Sequence, residues 1–300
     1  MKSKTKFLLL DIIYLALLAV GPLFAIVLKV LFTPQTDDID ISGALIFFTV
    51  KLPFSDLPVT ETQVNSLVVI WSLFWLCRYL THGISVRGGR KRQIAAEWIV
   101  EKTKNLVRGN MGEYFSSFAP FVAAIMGLSA FSSLLTLIGL YPPTSDINTV
   151  GGWAILVFFL ITYYKFKCGP VHYLKSFGDP VPFLAPLNII SEFATPVSMA
   201  FRHYGNVLSG SVISVLVATA LQGLSNIVFG KLPGLLGEIP FLQIGIPAVL
   251  SVYFDLFSGL LQAFIFAMLT MLYVSGGFPA EDYAARKAKR AAKRAAERKN

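Results

Sequence analysis

A single arginine inside a long apolar run sets the chemistry to look for. Residues 198–210 read S-M-A-F-R-H-Y-G-N-V-L-S-G and lie within an apolar stretch from about 181 to 229. A charge at the centre of a membrane helix costs about 2.5–3.5 kcal/mol on insertion scales, so it must face protein or a watery cavity. No acid lies within four positions of Arg202, which excludes an ion pair along its own helix. Its counter-charge must come from elsewhere in the chain or from another subunit. At helical spacing Ser198, Arg202, Asn206 and Ser209 share one face, with Gly205 beside them. That face is small, polar and cationic, and suits an exchangeable anion. A guanidinium keeps its proton up to a pH of about 12, so Arg202 can attract or repel ions but cannot relay a proton.

Other polar residues punctuate the same runs. Asn188 and Glu192 lie near the start of the arginine-bearing run. Ser211, Ser214, Gln222 and Ser225 form one helical stripe further along, and Ser211 is about 180° around the helix from Arg202. In a later run, 240–275, Ser251, Asp255, Gln262 and Tyr273 fall on one α-helical face, and Asp255 is the sole acid. The spacing admits two roles for His203, an added titrating group or a packing residue. Asp146 either collects protons outside or caps the helix that follows it through D-x-N-T.

These residues need a membrane scaffold, and the composition supplies one. The chain is 55% hydrophobic and 14% charged, with a mean hydropathy of +0.64, far outside the soluble globular range. The net charge of +9 is not a nucleic-acid signature, because eight basic residues against Glu297 in the tail 286–299 account for most of it. The two cysteines, Cys77 and Cys168, have no metal-ligand spacing. The expected architecture is an all-α polytopic membrane protein of about six membrane helices. The first runs over 1–32, too long for the apolar core of a signal peptide. Asp11 and Lys29 lie near enough to its ends for their side chains to snorkel to water. An acidic segment, 33–63, then precedes a span over 64–80 and the basic residues Arg78, Arg87, Arg90, Lys91 and Arg92, which favour the cytoplasm. The amphipathic stretch 91–107 should lie along the membrane face. Spans over 115–140 and 150–164 follow, joined by a loop without basic residues that should face outside. The last two spans, 181–229 and 240–275, would measure about 70 Å and about 54 Å as helices, against a hydrocarbon core near 30 Å. They must tilt, bend or turn back, and Pro186 and Pro196 should limit unbroken helix in the first of them. Both basic termini are expected in the cytoplasm.

The stretch P-V-S-M-A-F-R-H-Y-G-N-V-L-S-G, 196–210, closely resembles the arginine-helix signature of subunit a of F-type ATP synthases. F-D-L-F-S-G-L-L-Q-A-F-I-F-A-M-L-T-M-L-Y-V-S, 254–275, resembles that family's last helix, and Y-P-P-T-S-D-I-N-T, 141–149, its P-T-[SA]-D loop. The resemblance implies a stator subunit that offers two ion half-channels to a rotating ring of c subunits, anchored to peripheral-stalk b subunits in a bacterial plasma membrane. It places the essential arginine at Arg202, the nearby amide at Asn206 and the last-helix glutamine at Gln262. Asp255 and Glu192 match acids of several relatives. Ser211 stands where some members carry an acid, and His203 where leucine is usual. The outer half-channel is then expected along Asp255 and the stripe of Ser211, Ser214, Gln222 and Ser225. The inner one begins near Glu192 and Asn188, and Arg202 is the barrier between them. The expected divisions are 1–63 (extra membrane helix and external loop), 64–110 (second span and cytoplasmic-face helix), 111–279 (ion-path bundle) and 280–300 (basic cytoplasmic tail).

The chain has no phosphate-binding G-x-x-x-x-G-K-[ST], so nucleotide chemistry belongs to another subunit and no cofactor is expected beyond the transported H⁺ or Na⁺. The alternative reading is a secondary transporter with an intramembrane charged substrate site. No internal repeat between the halves supports it.

Overall fold

The computed structural model describes residues 2–33, 43–51, 53, 56–86, 90–167, 169, 173, 177–178, 181–229, 245, 249–250, 252–278 and 283. Asp37, Asp38, Asp40, Arg87, Cys168, His172, Lys175, Ser251 and most of the basic tail lie outside that set.

Helix α1 covers Lys2–Phe32. Two strands follow, β1 Ile46–Lys51 and β2 Asp56–Thr60, paired antiparallel. The acidic segment was expected as a loop, but its I-F-F-T-V run has the β-branched and aromatic residues that favour a pleated strand. Next come α2 Glu61–Thr81, α3 Lys91–Met111, α4 Ala119–Leu137, α5 Ile147–Lys167, α6 Ala185–Phe229 and α7 Gly259–Gly276. Short 3₁₀ turns lead into α4, α5 and α6, and a π-helical stretch, Val252–Ser258, leads into α7. Among the described residues six helical segments are long and apolar enough to cross a membrane. The chain is thus a polytopic α-helical membrane protein.

Local chemistry explains the boundaries. The Thr60 N–H donates to Gln63 Oε1 at 3.4 Å where α2 begins. Gly112, at φ +83°, breaks α3 from the turn that follows, a conformation L side chains avoid. Asp146 caps α5, its Oδ1 accepting from the Asn148 N–H at 2.9 Å, as the D-x-N-T spacing allows. α3 is not among the membrane-crossing segments: Ile94, Trp98 and Ile99 stay exposed while Val107 and Met111 enter the core.

α6 is one helix of 45 residues, about 68 Å long at 1.5 Å per residue. The expectation that prolines would interrupt it does not hold. Pro186 sits in the first turn, where no intrahelical donor is needed, and Pro196 is buried within the continuing helix. The excess length expected of the last span falls mostly on 240–251, largely outside the described residues; the described part, Val252–Gly276, is 25 residues.

The main core joins α4, α5, α6 and α7 through Val122, Val150, Val157, Met199, Phe266 and Met271. Gly259 permits the closest approach, since a Cβ there would fall 2.2 Å from Ser133 Oγ on α4. A smaller cluster, including Ala25, Val68, Val69 and Leu135, ties α1 to α2 and α4.

The flank charges of α1 do not simply snorkel. Arg92 donates to Asp11, and Lys29 Nζ lies 3.2 Å from Glu61 Oε1. Glu61, at the end of the acidic segment, is 2% exposed and accepts the Tyr141 N–H at 3.0 Å. Charges beside a hydrocarbon layer gain more from pairing than from reaching for water, so this acid anchors the loop between α4 and α5.

Candidate functional site

α6 and α7 run antiparallel, and their contacts fix the depth of each polar group. Asn206 Nδ2 donates to Ser258 Oγ at 2.7 Å. Four residues further along α6, Gly210 meets Phe254, four residues back, where an added Cβ would fall 3.2 Å from the Phe254 Cβ. One such step the other way sets Gln262 at the level of Arg202, as the sequence suggests. The two residues face differently: Gln262 is buried at 4% exposure, whereas Arg202 is exposed. No hydrogen bond or ion pair joins Arg202 to another described residue. A guanidinium presented this way can bind an anion that approaches from outside the chain.

Glu192, by contrast, has a partner. Lys165 Nζ on α5 donates to Glu192 Oε2 at 2.6 Å, and the Tyr173 hydroxyl lies 3.4 Å from Oε1. Burial, and then the neighbouring Glu192 carboxylate, push the Tyr173 phenol above its ordinary pKa. These groups line a cavity of about 770 Å³ together with Asn188, Ser191 and Tyr273. Asn188 Nδ2 donates to the Phe177 carbonyl at 2.8 Å. The structure therefore brings Asn188 and Glu192 together in one chamber large enough for many waters, about three turns along α6 from Arg202. Sequence reasoning missed Lys165 as the partner of Glu192, because the two lie on different spans, 27 residues apart. Ser258 gave no signal beyond its place in F-D-L-F-S-G.

The residues expected to form the outer path are placed less uniformly. Ser211 Oγ bonds back to the Leu208 carbonyl at 2.9 Å. Ser214 and Ser225 have buried hydroxyls without a partner among the described residues, whereas Gln222 is exposed. The stripe thus divides between the protein interior and the outer wall. Asp255 lies in the π-helical stretch, so the α-helical face proposed to join it with Gln262 and Tyr273 does not hold through 252–258. A π turn holds more residues than an α turn and shifts the angular register of everything before it. His203 is 1% exposed, edge-on to the rings of Trp153 at 6.1 Å and Phe266 at 5.6 Å, with Nε2 at 3.3 Å from Ser129 Oγ.

Comparison with known proteins matches residues 62–275 to the family described as ATP synthase A chain. The chain is similar to ATP synthase subunit a of Bacillus pumilus, 33% identical over 210 residues covering 65% of this chain and 82% of the relative. It is similar also to that of Desulforamulus reducens, 34% identical over 217 residues, 70% of this chain and 74% of the relative. The sodium-ion-specific subunit a of Propionigenium modestum is 27% identical over 243 residues, 75% of this chain and 76% of the relative. Helix α1 precedes the matched region.

Proposed function

Because the chain belongs to the ATP synthase A chain family, and so is a membrane-sector subunit working with other ATP synthase subunits, we propose that it supplies two ion half-channels separated by Arg202. The observation that carries this reading is an exposed arginine, in mid-helix, without a counter-charge among the described residues. The partner chemistry is a carboxylate on a neighbouring ring of c subunits. Such a carboxylate crosses lipid only when protonated or ion-loaded, and the guanidinium favours its charged form. Each one therefore discharges at Arg202, towards the inner chamber of Asn188 and Glu192, and reloads from the outer side along Asp255, Ser211, Ser214 and Gln222. Asn206 holds α6 against the last span through Ser258, and Gln262 lies buried at the arginine's depth. About 2.3 kcal/mol per charge per 100 mV is then available to drive rotation. Nucleotide chemistry lies in other subunits. The b subunits hold the chain still against the ring, in the bacterial plasma membrane with both termini on the cytoplasmic side. Family membership leaves the transporter alternative without support.

The test is sidedness. In a complex whose Cys77 and Cys168 are replaced by alanine, Asn188→Cys and Ser214→Cys are treated with a membrane-impermeant thiol reagent from either side. The expected result is ion flow blocked at 188 only from the cytoplasmic side and at 214 only from the outer side. Block of both from one side overturns the two-path reading.

A further inference from the structure

Helix α1 precedes the region matched to the family, and nothing in the proposed function uses it. Yet the chain ties it down at three levels. Arg92 donates to Asp11 near one end, and Trp71 Nε1 donates to the Leu17 carbonyl at 2.8 Å in the middle. At the other end Lys29 reaches two acceptors. Its Nζ donates to the Gly139 carbonyl at 2.8 Å and lies 3.2 Å from Glu61 Oε1. A helix that only crosses lipid requires no such ties.

The tie at Lys29 leads inward. Glu61 Oε1 also accepts the Tyr141 N–H, and Asn65 Nδ2 donates to the Tyr141 carbonyl at 2.7 Å. The Tyr141 hydroxyl closes the loop on itself, donating to the Ser145 carbonyl at 3.1 Å. The 3₁₀ turn Pro143–Ser145 is buried and packs on both α2 and α6. Two observations place the contact with α6. Burial, then Tyr204, Asp146 and Glu61, push the Tyr141 phenol above its ordinary pKa, so Tyr204 lies within electrostatic reach of the loop. Ser132 Oγ accepts the Thr144 N–H at 3.1 Å, and Ser129, one turn along α4, meets His203 Nε2 at 3.3 Å. His203 and Tyr204 directly follow Arg202. The loop between α4 and α5 is thus a wedge between α2 and α6, set beside the arginine.

We propose that α1 is a positioning element of the ion path: through Lys29 and Glu61 it holds the α4–α5 loop against α6 beside Arg202. This rests on the proposed function and gives its arginine a fixed back wall. Among the described residues Lys29 is the cation paired with Glu61. Glu61 is buried, so without Lys29 it becomes a lone buried charge, and the cost falls on the loop that it holds. Lys29 itself is 33% exposed, so its replacement opens no cavity in the core. With the loop displaced, α6 loses packing next to Arg202. The guanidinium then no longer meets each arriving carboxylate at one depth.

The test uses the whole complex in vesicles, with Cys77 and Cys168 replaced by alanine and Ser145→Cys as a reporter. The Ser145 hydroxyl has no partner among the described residues, so the reporter removes no hydrogen bond. Lys29→Met should let a small membrane-impermeant thiol reagent label position 145 about tenfold faster, the loop having lost a charge-assisted hold. Ion-driven ATP synthesis per assembled complex should fall about twofold or more, as removing one link of a contact network does. Lys29→Arg keeps the charge and should stay near wild type in both. Glu61→Gln keeps an acceptor for the Tyr141 N–H without the charge, and in the Lys29→Met chain should reverse much of both changes. Unchanged labelling, faster labelling with an unchanged rate, or a loss that Glu61→Gln does not relieve overturns the role of α1. If Lys29→Met does not assemble, the double variant decides: assembly with a near wild-type rate supports the role, and failure to assemble overturns it. Arg202→Ala separates the two readings. Full coupling in that variant removes the proposed function, whereas an uncoupled Arg202→Ala beside an unaffected Lys29→Met removes only the role of α1.

Discussion

Lys165 and Arg202 are both cations in the membrane-crossing part of the chain, and the protein treats them in opposite ways. Lys165 is fixed on Glu192 at 2.6 Å in the wall of the large cavity, and Glu192 is 8% exposed. Arg202 stands on the outer wall of α6 without a partner among the described residues. Lys29 with Glu61 and Arg92 with Asp11 follow the Lys165 pattern. Where a charge only has to be tolerated, this chain supplies its counter-ion. The difference fits the proposed function, in which Arg202 is kept for a counter-charge that arrives and leaves. It also separates energetics from function. Removing one member of a buried pair strands the other, whereas removing Arg202 strands no described residue.

The largest effect should follow from breaking the unpaired side of this contrast. Arg202→Ala should abolish ATP-coupled ion pumping while the complex still assembles, its stability changing by no more than about 0.5 kcal/mol, the usual range for exposed positions. Coupled pumping at the wild-type rate would remove the contrast altogether. Lys165→Met should do the converse. Leaving Glu192 without its cation should lower the stability of the detergent-solubilised complex by about 1–3 kcal/mol, and Glu192→Gln in the same chain should recover much of that loss. Denaturation curves of the single and double variants check both statements. A smaller effect sharpens the outer side. Asp255→Asn should slow ion flow in reconstituted vesicles several-fold, and Ser211→Ala hardly at all, since the Ser211 hydroxyl is spent on its own helix. Equal and negligible effects would dismiss the outer path assigned to Asp255.

Much of this was legible in the sequence, because membrane burial makes polar residues conspicuous. An arginine in an apolar run announces itself, and so do the span count, the amphipathic α3 and the length of α6. The register of Gln262 against Arg202 could be read from spacing alone. Pairing between distant spans could not. Lys165 and Glu192 are 27 residues apart and Asn206 and Ser258 are 52 apart, so nothing local marks them as neighbours. The π-helical stretch was also invisible, because Val252–Ser258 has no residue signature that separates a π turn from an α turn. His203 could be read two ways until Ser129, Trp153 and Phe266 were brought around it by three other helices.

The most direct test of the central claim is the structure of the assembled complex around the Arg202 guanidinium. The account predicts that the nearest carboxylate belongs to a neighbouring subunit. Finding Arg202 locked instead against Asp255 or Glu192 of its own chain, turned away from the outer wall of α6, would contradict it.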